Sequence, residues 1–324
     1  ETDITRGSLF AFAVVGLPDK AVEEARDRVS AAIKNSGFKS PKNNNHKIVI
    51  SLAPASLEKQ GASFDVAIAL SYLLANDEMS FDPEKKFFLG ELSLDGKVRP
   101  IRGTLPIARF AAENHFTELY VPEENVAEAA LIEGVAIFGF AHLRELIKHL
   151  TGEKGLKRAP VTKISAEARP SSTDFADVRS QERAKRGLLI AAAGGHNVAM
   201  YGPPGTGKTM LAKAFAGILP PLSFEEALEA TGIHSVAGIL NETLVSSPPF
   251  RAPHHTASYV SLVGGGTTPR PGEITLAHHG VLFMDEFPEF ERRVIESLRQ
   301  PLEDKVIAVA RAKGTAHFPA NVLL

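Results

Sequence analysis

The stretch MYGPPGTGKTM, residues 200–210, holds the residue types that grip a phosphate chain. Gly202, Pro203, Pro204, Gly205, Thr206, Gly207, Lys208 and Thr209 fit the spacing G-x-x-x-x-G-K-[ST]. Glycines let the backbone turn so that successive N–H groups point inward at phosphate oxygens. A helix starting there adds its positive end. Lys208 supplies a point charge to the β- and γ-phosphates, and Thr209 offers a hydroxyl to Mg²⁺. Such a loop requires an acidic residue at the end of a second buried strand to hold the metal's shell. GVLFMDEF provides it, since the apolar run Val281–Met284 ends at Asp285 and Glu286. The pattern assigns Asp285 to Mg²⁺ and Glu286 to the general base that polarises the attacking water. No Asn-Lys-x-Asp base-reading motif is present, so ATP is expected rather than GTP.

Longer stretches extend the pattern. DFADVRSQERAKRGLLIAAAGGHNVAMYGPPGTGKTMLAKAFAGILPPL, FRAPHHTASYVSLVGGG, PRPGEITLAHHGVLFMDEFPEF and LRQPLEDKVIAVARAKGTAHFPA resemble the magnesium-chelatase-like AAA+ proteins of the ComM/YifB type. The N-terminal stretches VVGLPDKAVEEARDRVSAAIKNSGF, LAPASLEKQGASFDVAIAL and LGELSLDGKVRPIRGTLPIA share the likeness. The resemblance implies an α+β Lon-protease-like domain followed by an α/β P-loop AAA+ domain, with a parallel sheet and helices on both faces. It implies a ring, a hexamer, that uses ATP and Mg²⁺ and acts on DNA as a branch-migration helicase in natural transformation and recombination. It also implies truncation at the C-terminal end. ANVLL should run into a sensor Asn, and the arginine finger and helical lid should lie beyond Leu324, leaving a fragment that binds nucleotide weakly and turns it over poorly. An AAA+ protein remodeller or chelatase-like partner is the second reading, and an ATP-dependent Ser/Lys peptidase the third.

By the same resemblance, the segment between the two ATP motifs carries insert loops facing a central pore. Arg251, His254, His255 and Arg270 are candidates for phosphate contact, which positions a strand without reading its sequence. Tyr259 is a candidate for stacking on a base. The Gly264-Gly265-Gly266 run suits a mobile loop. A second hairpin carries Lys305, Arg311 and Lys313 around a turn at Gly314. Arg292 and Arg293 suit a solvated helix face. Two His-His pairs, His254-His255 and His278-His279, invite a metal reading. On a strand, however, adjacent side chains point to opposite faces and do not chelate one ion.

Ser63 stands in KQGASFD, where the resemblance places a nucleophile whose base is a Lys. In TLPIARFAA the matching helix carries Leu105 and Ile107 instead. Ser63 is therefore expected to cap a helix, in a domain retained for assembly or DNA contact rather than cleavage.

These residues need elements to position them. PDKAVEEARDRVSAAIKNSGF reads as a helix capped by Asp19, with Val22, Ala25, Val29 and Ile33 on one face. HKIVISLAP reads as a strand, FDVAIALSYLLA as a helix, and KFFLGELSLDGKVRPI as a hairpin about Asp95-Gly96. LPIARFAAENH, ELYVP and AHLRELIKHL follow as helix, strand and helix. Residues 1–150 form this first domain. Residues 151–172 are polar and basic and suit a linker. Residues 173–324 form the second domain, in which SQERAKRGLLIAAAGG is a helix, HNVAMY a buried strand, and Ser223 with Glu226 a capping box. From Glu153 to Arg186 nine Lys or Arg stand against five Asp or Glu, a solvated linker or a positive collar beside DNA.

Composition bounds the rest. The 324 residues carry a formal charge of -2, so there is no global pull on polyanions and any such contact must be local. Cysteine is absent, which excludes disulfides and thiolate metal sites and fits the cytoplasm. No apolar run approaches the roughly 18 residues that a membrane span requires.

Overall fold

The computed structural model describes residues 1–7, 10–43, 45–54, 57, 59, 61–162, 173–266, 269–311 and 314–324. The chain divides into two compact units, Glu1–Lys163 and Ile164–Leu324.

In unit 1, strands β1 (Thr2–Arg6) and β2 (Ala11–Val15) precede helix α1 (Lys20–Asn35). Asp19 caps α1, its carboxylate accepting the Val22 N–H at 2.8 Å. Val22, Ala25, Val29 and Ile33 are all buried, as their spacing predicts. Strand β3 (His46–Ser51) is the centre of a three-stranded sheet, antiparallel to β1 and parallel to β2. Helix α2 (Asp65–Ala75) packs with α1 in the core of this half. Buried Asp65 is held by a bidentate bond from Arg28, at 2.8 and 3.1 Å, and by the Leu92 N–H. The helix N-cap is Phe64, with no side-chain cap bond, so Ser63 does not cap it.

The second half of unit 1 holds β4 (Lys86–Phe88), β5 (Glu91–Leu92), β6 (Val98–Arg99), α3 (Thr104–Glu113), β7 (Glu118–Pro122), α4 (Val126–Ala129), β8 (Ala136–Phe140) and α5 (Leu143–Leu150). The expected hairpin shrinks to β5 and β6, which pair antiparallel across the Asp95-Gly96 turn. Lys86–Phe88 instead joins β7 and β8 in an all-parallel sheet. A parallel sheet buries both faces, and β7 shows how. Leu119 and Val121 face the cluster that includes Ala108, Ala111 and Ala129, while Tyr120 faces the other core. Phe88, Tyr120 and Phe138, aligned across the three strands, stack at 5.0 and 5.2 Å between centroids.

Of the expected linker, residues 151–162 are instead tied to unit 1. Leu156 N–H donates to His149 Nδ1 at 2.9 Å, Ala159 N–H to the Ile137 carbonyl and Thr162 N–H to the Ala130 carbonyl, both at 2.8 Å. The segment thus runs beside β8, and backbone pairing overrides its polar composition. The remainder, 163–172, lies outside the described residues.

Unit 2 contains α6 (Glu182–Gly194), α7 (Lys208–Gly217), α8 (Phe224–Ala237), β9 (Phe250–Arg251), α9 (Tyr259–Val263), β10 (Gly264–Gly265), β11 (Arg270–Pro271), α10 (Glu273–Leu276), β12 (Val281–Leu282), α11 (Arg292–Ser297), α12 (Arg299–Asp304), β13 (Val306–Arg311) and β14 (Gly314–Pro319). Gly195 in the left-handed region ends α6, and the Ser223–Glu226 capping box starts α8. Strands β9 and β12 pair in parallel. On the far side of β12, Leu282 N–H donates to Leu323 O, and Val198 N–H then donates to Leu324 O, both at 2.8 Å. The lateral order is therefore 250, 281, 323, 198. Phe250, Val281 and Leu323 face α6 and α7, whereas Leu282, Met284, Val322 and Leu324 face the cluster of α9 to α12. HNVAMY is not a buried strand. Val198 pairs on one edge alone among the described residues, too little for a ladder, and Tyr201 is fully exposed. β13 and β14 form the expected hairpin, with Arg311 opposite Gly314.

Candidate nucleotide-binding site

The loop 202–207 turns on Gly205 and Gly207, with φ of +79° and +81°, a region that side chains rarely adopt. Gly207 is also the N-cap of α7. The N–H groups of Gly205, Thr206, Gly207, Lys208 and Thr209 meet no acceptor among the described residues. They are unpaired donors around one turn, the arrangement an anion completes. Lys208 Nζ donates to the carbonyls of Gly202 and Pro203 at 2.9 and 3.0 Å, so its ammonium lies against the loop. Thr206 Oγ1 donates to the Pro203 carbonyl at 2.9 Å and braces the turn. Gln181 reaches the Thr206 carbonyl at 3.4 Å, a contact for which its sequence position gives no signal.

Seventy-six positions on, Asp285 meets this loop: Thr209 Oγ1 donates to Asp285 Oδ2 at 3.0 Å. β12 and the neighbouring strand segments bring the carboxylate there. The other carboxylate oxygen accepts the Glu286 N–H at 3.0 Å. Glu286 has a left-handed backbone, φ 55° and ψ 45°, which costs a non-glycine residue roughly 1–2 kcal/mol. Its carboxylate is exposed and touches His255 Nδ1 at 3.2 Å. The hydroxyl and carboxylate pair is an all-oxygen donor set, which suits a hard cation such as Mg²⁺. The residues present thus fit a nucleotide with its metal.

The DNA candidates fare differently. Arg251 makes a bidentate ion pair with Glu273, at 2.6 and 2.8 Å, which raises its pKa and neutralises its charge locally. The expectation that Arg251 meets phosphate loses its basis. Tyr259 is half-buried, and the Arg293 guanidinium lies 4.9 Å above its ring. Arg293 is therefore not a free helix-face charge, and one face of the ring is covered. Arg270 on β11 is exposed, as are His254 and Lys305. The side chain of Arg311 and the whole of Lys313 lie outside the described residues. Gly264 and Gly265 pair with β11 as a strand. A Cβ on Gly264 would lie 2.5 Å from the Arg270 carbonyl oxygen, so this glycine permits close backbone approach rather than mobility.

His278 and His279 overturn the strand argument. They sit in a turn, His279 with φ 59°, and both rings reach one carboxylate. His279 Nε2 lies 2.8 Å and His278 Nε2 3.3 Å from Glu229 Oε2. The three offer a possible ligand set. One further bond argues against a metal there: the Asn321 N–H donates to His278 Nδ1 at 3.0 Å. That leaves the proton of neutral His278 on Nε2, the atom a metal would need, whereas a ligating histidine donates from its other nitrogen. The cluster instead clamps α8 to the turn before β12.

A glycine-rich turn on a helix beside a parallel sheet defines the P-loop class. Comparison with known proteins narrows it. Residues 174–324 match the family described as magnesium chelatase, subunit ChlI, and residues 1–125 match subunit ChlI of Mg-chelatase. The chain is 44% identical over 318 residues to the competence protein ComM of Haemophilus influenzae, covering 97% of this chain and 62% of that one. It is also 44% identical over 329 residues to the uncharacterized protein YifB of Escherichia coli, covering all of this chain and 63% of YifB. Lon protease 2 of Bacillus subtilis is 28% identical over 152 residues, 44% of this chain and 27% of that protease. The chain belongs to the ATP-binding, magnesium-chelatase-like AAA+ family of the ComM/YifB type. It spans less than two thirds of the length of these ComM and YifB relatives. No helix among the described residues is long and apolar enough to cross a membrane.

Proposed function

We propose that unit 2 is the ATP-hydrolysing core of a ring motor, a hexamer, that works on DNA as a branch-migration helicase. The contact between Thr209 and Asp285 supports it most directly, because it joins the two halves of a nucleotide site across 76 positions. In this reading the free loop N–H groups and Lys208 hold the β- and γ-phosphates. Thr209 and Asp285 would hold Mg²⁺, which would supply positive charge against the phosphate oxygens. Glu286 accepts a proton from the attacking water. The DNA half of the proposal rests on the likeness to a competence protein and on exposed Arg270, His254 and Lys305.

The test is steady-state ATP hydrolysis by a chain extended to the length of its relatives, without nucleic acid, with single-stranded DNA and with a four-way junction. Glu286→Gln serves as the blank. Stimulation greatest with the junction supports the motor. A rate indifferent to all DNA would move the assignment to an AAA+ protein remodeller.

A further inference from the structure

Unit 1 has a concavity of about 650 Å³ that the nucleotide site does not use. Gly139, Phe140 and Leu156 line its apolar part, and Arg144, Lys148 and Lys154 bring three cations to it. Arg144 and Lys148 lie one turn apart on α5, about 6 Å along the axis. Lys154 comes from the segment that folds back beside them, its N–H bonded to the Lys148 carbonyl at 3.0 Å. None of the three is ion-paired among the described residues. The facing carboxylates are Glu123 and Glu145, and Glu145 already accepts the Ala141 N–H at 3.1 Å. His142 is already engaged at both ring nitrogens. Its Nδ1 accepts the Arg144 N–H at 3.1 Å, so its Nε2–H donates to the Asp95 carbonyl at 3.0 Å.

The shape of this site selects among anions. The Leu143 and Glu145 N–H groups, at the start of α5, already donate to the Gly96 and His142 carbonyls. No backbone nest is left to trap one small anion, and the cations sit at exposed or half-buried positions. A lone phosphate ion therefore meets three separately hydrated charges. A polymer of phosphates gains from all three together. Exposed Lys157 and Arg158 continue the run along the edge of β8, where Arg158 bridges Phe138. The basic half of the expected linker is thus a fixed wall of cations.

We infer that this wall is a contact for the phosphodiester backbone of a nucleic acid, with Arg144, Lys148 and Lys154 as its centre. It goes beyond the motor reading, resting on it only for the choice of polyanion. The test is fluorescence anisotropy of the 324-residue chain with a labelled single-stranded oligodeoxynucleotide across a salt series. The triple variant Arg144→Ala/Lys148→Ala/Lys154→Ala is expected to lose about tenfold or more in affinity near 0.1 M salt. Its log–log salt slope should be shallower by roughly 2, at about 0.7 counterion released per phosphate neutralised, one phosphate for each of the three cations. The charge-keeping variant Arg144→Lys/Lys148→Arg/Lys154→Arg should bind as the parent does, which separates charge from folding.

Unchanged affinity and slope in the alanine variant would overturn the inference. If Arg270→Ala/Lys305→Ala alone abolished binding, the motor reading would stand and this one fall. If the alanine variant lost binding while ATP hydrolysis by the longer chain ignored DNA, the motor reading would fall and this one stand. Displacement of the oligonucleotide by inorganic phosphate at matched ionic strength would assign the wall to free phosphate and overturn the nucleic-acid claim.

Discussion

His255 Nδ1 lies 3.2 Å from Glu286 Oε2, so a residue four positions past β9 touches the carboxylate just past β12. The family resemblance makes His255 a candidate for phosphate contact. In the structure it also orients the proposed catalytic base, and Glu286→Gln and His255→Ala should therefore differ. Glu286→Gln should keep nucleotide binding and cut turnover by at least about 10²-fold. His255→Ala should lower kcat by roughly tenfold with little change in KM, because it removes orientation alone. Wild-type kcat in His255→Ala would show that the contact has no bearing on hydrolysis.

Lys208→Ala should abolish nucleotide binding. The variant loses the cation held against the Gly202 and Pro203 carbonyls, and with it the counter-charge to the phosphates. Titration with a fluorescent ATP analogue reads this directly. Binding within about threefold of the parent would put the phosphates elsewhere.

Arg251 and Glu273 should matter for stability and not for DNA. Arg251→Met leaves a partly buried carboxylate unpaired, at a cost on the order of 1–2 kcal/mol given that solvent still reaches a third of the arginine side chain. The double variant Arg251→Met/Glu273→Met should recover part of that loss. Thermal melts of the parent and of these two variants test the pair. A fall in oligonucleotide affinity without a fall in melting temperature would return Arg251 to the DNA-contact set.

Acidification should weaken the clamp between α8 and the turn before β12. The hydrogen bond from His279 holds the Glu229 carboxyl below its usual pKa, and burial lowers the His278 pKa. Both groups bind protons more readily when unfolded. Stability is therefore full above the ordinary histidine value, about 6.5. It declines as pH falls through the lowered His278 value, and further as Glu229 protonates. Chemical denaturation at a series of pH values should show this decline reduced in His278→Gln. An identical decline in that variant would remove His278 from the account.

Ser63→Ala should leave peptide cleavage at the level of the blank. The Lys59 ammonium is buried and donates to the Pro54 and Leu57 carbonyls, the latter at 2.8 Å, so it is committed to holding its own loop. A casein-cleaving preparation silenced by Ser63→Ala would reverse this.

What could be read from the sequence was local. The Asp19 cap, the Ser223–Glu226 capping box and the glycine turn that opens α7 depend on residues within a few positions of one another, and each forms as the spacing predicts. What could not be read depends on partners far along the chain. KFF looks like one arm of a hairpin until β7, 30 residues on, takes it into a parallel sheet. Arg251 looks like a free cation until Glu273 is placed beside it. His278 and His279 look like alternating strand residues until the left-handed φ of His279 swings both rings toward Glu229. β1, β2 and β8 are strands of only five residues, and pairing with β3 and β7 defines them.

The lateral order 250, 281, 323, 198 has a mechanical meaning. The phosphate loop and the Asp285 carboxylate do not grow from adjacent strands, because Leu323 and Leu324 lie between them as a shim. The width of that shim, one strand spacing of about 4.8 Å on each side, sets the gap across which Thr209 and Asp285 meet. Any movement that tilts residues 321–324 therefore changes the bite of the proposed nucleotide site without touching a residue proposed to bind nucleotide.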